Sequence, residues 1–112
     1  YWIQTVPADH WLFTLDLSDP EHPREVSRVI VGNDEQPHWI AIDHTGRRIV
    51  LNSGGKGNRL FIINFDPANG HVSVDSAFRD SGSTRLGIAF DRAGWPHDPT
   101  ETAVPHGTVF GW

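Results

Sequence analysis

A chain of 112 residues and 12.5 kDa, 38% apolar and 11% aromatic, fits one small domain and carries too many core-forming side chains to be disordered throughout. The lack of any Cys excludes a disulfide scaffold, a thiolate metal site and a cysteine nucleophile. A formal charge of -5 argues against nucleic acid or an anionic membrane as partner, and no apolar run approaches the roughly 20 residues that span a bilayer.

In chain order, residues 1–5, 10–17 and 25–31 read as three short strands. The sequence Trp39-Ile40-Ala41-Ile42-Asp43 is a fourth, with β-branched residues at alternate positions. It is closed by a tight turn at His44-Thr45-Gly46, where Gly supplies the positive φ. Residues 47–52 follow as a strand, and Ser53-Gly54-Gly55-Lys56-Gly57-Asn58 as a glycine-rich loop. Residues 59–65 are apolar nearly throughout, which suits a strand covered on both faces. Asp66-Pro67-Ala68-Asn69-Gly70 is a hairpin turn, and residues 71–78 alternate as an outer strand. Residues 86–91 give one more strand and Arg92-Ala93-Gly94 its turn. Beyond it the prolines of Trp95-Pro96-His97-Asp98-Pro99 predict a loop or tail, with 108–110 as a final strand. No helix-period segment with caps is visible.

These strands repeat. A gapless shift of 48 positions aligns Leu12/Leu60, Phe13/Phe61, Val26/Val74, Ile40/Ile88, Ala41/Ala89, Asp43/Asp91 and Gly46/Gly94, and matches Ile3/Leu51, Leu15/Ile63, Leu17/Phe65, Ile30/Phe78 and Ile42/Phe90 in class. Four strands per period of this length are the mark of a propeller blade. The expectation is therefore an all-β partial β-propeller of about two four-stranded antiparallel blades over residues 1–94, with an irregular tail over 95–112. A closed propeller of four blades needs roughly 160 residues at this period. With no Met and a start inside a strand, the chain is expected to be a C-terminal piece of a longer protein whose remaining blades are its partners. A β-sandwich of seven or eight strands is the competing fold, and it gives no reason for the period.

The segment Pro37-His38-Trp39-Ile40-Ala41-Ile42-Asp43-His44-Thr45-Gly46-Arg47-Arg48-Ile49-Val50-Leu51-Asn52 resembles the YVTN-type propeller repeat: a Pro-His pair, an apolar strand, an Asp-x-x-Gly turn and a strand ending in Asn. Residues 60–70 resemble the same family and the related lactonase-like and selenium-binding-like propellers. The likeness covers about one complete blade and parts of two others. It implies an innermost strand at 39–43 lining a central channel, with His38 at the channel mouth.

Three of the seven histidines follow proline: His38, His97 and His106. Leu86 is the repeat mate of His38, so blade packing does not require an imidazole there. His38 is the candidate ligand-binding residue and Trp39 its aromatic wall. His38, His97 and His106 are the candidate ligands of a divalent transition metal, joined by Asp98 or Glu35. Histidine-rich channel sites of selenium-binding-like propellers, some of them copper-dependent thiol oxidases, support this by resemblance. His10, His22, His44 and His71 read as solvated, and Asp43 and Asp91 as caps of their turns. The loop at 53–58 lacks the spacing and following helix of a phosphate cradle, and Ser53, Ser81 and Ser83 lack a nucleophile elbow. The 33–36 segment reads as a solvated acidic loop, with oxygen ligation of Ca²⁺ as its alternative.

The resulting expectation is a ligand- or partner-binding propeller segment with no reaction legible in it. The alternative is a metal-dependent oxidoreductase or lactonase-like hydrolase with a site at the channel mouth. Absence of Cys is compatible with a periplasmic or extracellular setting without requiring one.

Overall fold

The computed structural model describes residues 1–90 and 103–111. They are all-β, with two antiparallel sheets and no α-helix among the described residues. Sheet one joins β1 (Trp2–Val6), β2 (Trp11–Asp16) and β3 (Arg24–Ile30) in that order, with a 3₁₀ turn at Pro7–Asp9 between the first two. Sheet two joins β4 (Glu35–Ile42), β5 (Arg48–Gly55), β6 (Arg59–Asp66) and β7 (His71–Val74), and β8 (Ile88–Ala89) pairs with β6.

The sheets pack face to face. Leu12, Phe61, Ile63 and Val72 are buried between them, with Ile3, Val29 and Ile40 against their edges. Burial of each large apolar side chain contributes about 1.5–3 kcal/mol. The opposite face of sheet two carries Val50, Leu60 and Ile62, covered by Phe78, Ile88, Phe90 and Phe110. Cover on both faces is why β6 is apolar almost without interruption. Among the described residues, sheet one has cover on one face only: Leu12 and Thr14 point inward, while Trp2 and Ile30 stand 53% and 60% exposed on the far side. On that side the Arg28 guanidinium lies 3.6 Å from the centroid of the Trp11 ring.

Element by element, β1, β2 and β3 are the counterparts of β5, β6 and β7, but the register departs from a uniform 48. Ile3 faces Thr14, whereas Ile62, the repeat mate of Thr14, faces Val50 and not Leu51. The connection from β1 to β2 differs by one residue from that between β5 and β6. Because side chains alternate with period two, Ile3 and Leu51 then belong to opposite faces. The match expected of that pair does not hold; Ile3 corresponds to Val50.

Several boundaries also differ from expectation. β4 begins four residues early, at Glu35, and runs through Pro37; among the described residues it pairs on one side only, so a missing amide is tolerated there. β5 continues to Gly55, leaving Lys56, Gly57 and Asn58 as the loop. β7 ends at Val74, where Phe78 N donates to Asp75 O at 3.3 Å and turns the chain. The vacated edge of β6 is filled from downstream, with Ala89 facing Arg59 and Ile88 facing Leu60. Ile88 therefore does not open a third sheet as Ile40 opens the second, although both pack against the apolar cluster preceding them. The final strand expected at 108–110 does not form, since residues 103–111 join no sheet. The expected turn copy at 92–94 and residues 95–99 lie outside the described residues.

Candidate functional site at the His38 bulge

His38 sits where the pairing of β4 and β5 slips. Pro37 faces Ser53 and Trp39 faces Asn52, so His38 is the extra residue of a β-bulge. Bulges re-aim side chains and recur beside functional sites. The exposed His38 ring meets that of His106, with centroids 5.3 Å apart and planes inclined by 71°.

His106 is delivered by a strap anchored on β4 and β5. The side chain of Asn52, wholly buried, donates through Nδ2 to Pro105 O at 3.2 Å and accepts at Oδ1 from Thr108 Oγ1 at 2.9 Å. Trp39 Nε1 donates to Thr108 O at 3.2 Å. Gly107 passes so close to the Trp39 ring that a Cβ there would lie 3.6 Å from it. Two of the three expected histidines thus come together, with Trp39 beside them. His97 and Asp98 lie outside the described residues. Among the described residues no group of three or more His, Cys, Asp or Glu side chains is arranged to hold a metal ion. Two imidazoles offer two nitrogen donors, or a pair of polar rings for an organic ligand.

Glu35 is engaged elsewhere. Expected in a solvated loop, it is 1% exposed. Its Oε1 accepts from Arg85 Nη2 at 3.2 Å, and Oε2 is buried without a hydrogen-bond partner among the described residues. The carboxylate lies on the backbone of Gly57, where a Cβ would fall 1.8 Å from Oε1. Nearby, Arg59 donates from Nη2 to Asp80 Oδ2 at 2.8 Å and to Gly87 O at 2.6 Å, and from Nε to Leu86 O at 2.8 Å. Glu35, Arg59 and Leu86 line an open cleft of about 360 Å³ with Asp34 and Arg85. The signal available in the sequence was the alternation of Glu35 with Pro37 and the run of glycines facing them.

His10 also departs from the solvated reading. It is half-buried at a left-handed φ of 64°, with Nδ1 2.5 Å from Glu35 O. His22 pairs with Asp19 at 2.9 Å, and His71 Nδ1 lies 3.1 Å from Ser27 Oγ. Asp43 caps its turn as expected: Oδ1 accepts from Arg47 N and Arg48 N at 3.0 and 3.1 Å, and Oδ2 from Thr45 Oγ1 at 2.8 Å. Desolvation would raise the Asp43 pKa, but the Thr45 hydroxyl and the two amides outweigh it and hold the carboxyl below its ordinary value.

No helix of the described residues is long and apolar enough to cross a membrane. Comparison of the chain with protein-family models, curated proteins and solved structures finds no match.

Proposed function

We propose that this chain is a two-blade section of a β-propeller of the YVTN-repeat kind, and that the middle of β4 bearing His38 and Trp39, with the 105–108 strap, is a ligand- or partner-binding face. The observation that carries the reading is the bulge at His38. An exposed imidazole is pushed out of the ladder midway along β4, and a second imidazole is strapped beside it by a buried Asn. The repeated strand order and the two covered faces of sheet two support the propeller, since each sheet needs a neighbour to bury its apolar side. The blades that would complete the ring are the partners this reading requires.

The test is a screen of small soluble compounds against the isotope-labelled chain, read by amide and imidazole shifts. Binders are expected to perturb His38, Trp39, Asn52 and His106 together, and to lose this effect in His38→Ala. Perturbations centred elsewhere, or unchanged by that substitution, would overturn the assignment.

The contact between two imidazoles favours one alternative, a metal-dependent enzyme in which His38 and His106 supply two ligands and His97 a third. Zn²⁺ or Cu²⁺ retained through dialysis by the wild type and lost from both His38→Ala and His106→Ala would select it. Equal retention by all three chains would remove it.

A further inference from the structure

The Asn69-Gly70 pair that closes the turn between β6 and β7 carries a chemistry that the His38 face does not involve. Of the five asparagines in the chain, only Asn69 is followed by glycine. Glycine leaves its own amide nitrogen without a neighbouring side chain to screen it. Asn69 lies exposed on the turn, whereas Gly70 is buried at a left-handed φ of 76°.

The exit of this turn is also a polar joint between the sheets. Thr14 Oγ1, wholly buried on β2, donates to Gly70 O at 2.6 Å. Val72 N donates to Ser27 Oγ of β3 at 3.2 Å, and His71 Nδ1 lies 3.1 Å from the same oxygen. The Tyr1 ring closes over Gly70, where a Cβ would fall 2.6 Å from it. Residues 70–72 thus meet sheet one at three consecutive positions, and the length of main chain leaving Asn69 sets all three.

We propose that Asn69 is a deamidation site guarded by this joint, and that its isoaspartyl product undoes the joint. Gly70 N attacks Asn69 Cγ and forms a C–N bond; the side-chain amide leaves as ammonia, taking up the proton lost from Gly70 N. Water then opens the cyclic imide at either carbonyl, giving aspartate or isoaspartate with no change of oxidation state. In the folded chain Gly70 N donates to Asp66 O at 2.8 Å, and Asn69 Oδ1 accepts from His71 N at 2.9 Å. Attack breaks the first of these bonds and turns the backbone at Gly70, which Thr14 and Tyr1 hold from the other side. Aspartate keeps the chain length and an acceptor for His71 N. Isoaspartate adds a methylene to the main chain ahead of Gly70, so the contacts with Thr14 and Ser27 are not all kept. None of this depends on His38 or on the blade reading.

The test ages the 112-residue chain at mildly alkaline pH, in buffer and in urea, and follows amide-to-acid conversion by peptide mass spectrometry. In urea, conversion is expected to concentrate at Asn69; in buffer it is expected to run several-fold slower there. Thr14→Val, which removes the donor to Gly70 O, is expected to speed conversion in buffer several-fold, and Thr14→Ser to keep it slow. The isoaspartyl form, separated from the aged chain, is expected to exchange its Val72 amide several-fold faster than wild type and to unfold at lower urea. Asn69→Asp is expected to match wild type in both.

Conversion centred on another asparagine in urea would remove the site. Conversion as fast in buffer as in urea, or unaltered in a folded Thr14→Val chain, would remove the guard. An isoaspartyl form with wild-type exchange at Val72 and an unchanged urea midpoint would remove the joint, and that comparison stands even where Thr14→Val does not fold.

Discussion

Asp43 fixes a turn with a single side chain, and its effect has a pH signature. Its carboxylate collects two backbone amides and a hydroxyl, while Gly46 supplies the left-handed φ of 67° with open space where a Cβ would stand. The carboxyl titrates below the ordinary value of 3.8 in the folded chain, so the folded state binds its proton less readily than the unfolded state. Its contribution is fully present above that ordinary value and is lost as pH falls through the lower, folded one. Thermal melts of wild type and Asp43→Asn are therefore expected to differ by a constant margin from neutral pH down to about pH 5, and to converge below about pH 4. A margin that widens with acidity would contradict the assignment. The ion pair of Arg28 with Glu25 acts in the same direction, its hydrogen bonds holding the Glu25 carboxyl low while the guanidinium shields Trp11.

The connection between β5 and β6 is set by the group beneath it. Lys56 N and Gly57 N both donate to Asp34 O, at 3.1 and 3.2 Å, and this lays the Gly57 backbone on the Glu35 carboxylate. Any side chain at 57 must displace that buried carboxylate from its place beside Arg85. Gly57→Ala is expected to destabilise the chain by about 1–3 kcal/mol in urea unfolding, the cost typical of overpacking. An unaltered midpoint would mean that Glu35 relocates freely. The glycines were conspicuous in the sequence, but their reason was not, because it depends on a carboxylate buried on the neighbouring strand, some twenty positions back. The strands themselves were legible: alternation at 39–43 and the nearly continuous apolar run at 59–65 report local periodicity and burial, which any sheet imposes. What could not be read locally was register and pairing. A one-residue change between β1 and β2 is invisible in a list of identities, yet it turns Ile3 to the face opposite Leu51. The approach of His106 to His38 was among the expectations. Its cause, the buried Asn52 clamping Pro105 and Thr108, joins residues more than fifty positions apart.

As a whole, the molecule is unevenly covered. Sheet two is packed on both sides, whereas sheet one leaves Trp2, Ile30 and the half-buried Phe13 and Leu15 toward solvent. These apolar side chains share their face with the Arg28–Glu25 pair, and the exposed apolar area favours association. Wild-type chain is expected to self-associate with rising concentration in sedimentation, and Trp2→Lys with Ile30→Lys to weaken this. Stability should change little, since exposed substitutions typically move it by no more than about 0.5 kcal/mol. Undiminished association in the double variant would place the contact on another surface.

The pairing of β8 with β6 has a consequence for how the rest of the molecule is timed. A ladder that ordinary hairpins finish locally is here completed by residues some two dozen positions downstream, clasped by Arg59 through the carbonyls of Leu86 and Gly87. While Ile88 and Ala89 serve as that splice, the same backbone groups are not free to nucleate a new sheet. The arginine thereby holds this short segment on the edge of β6.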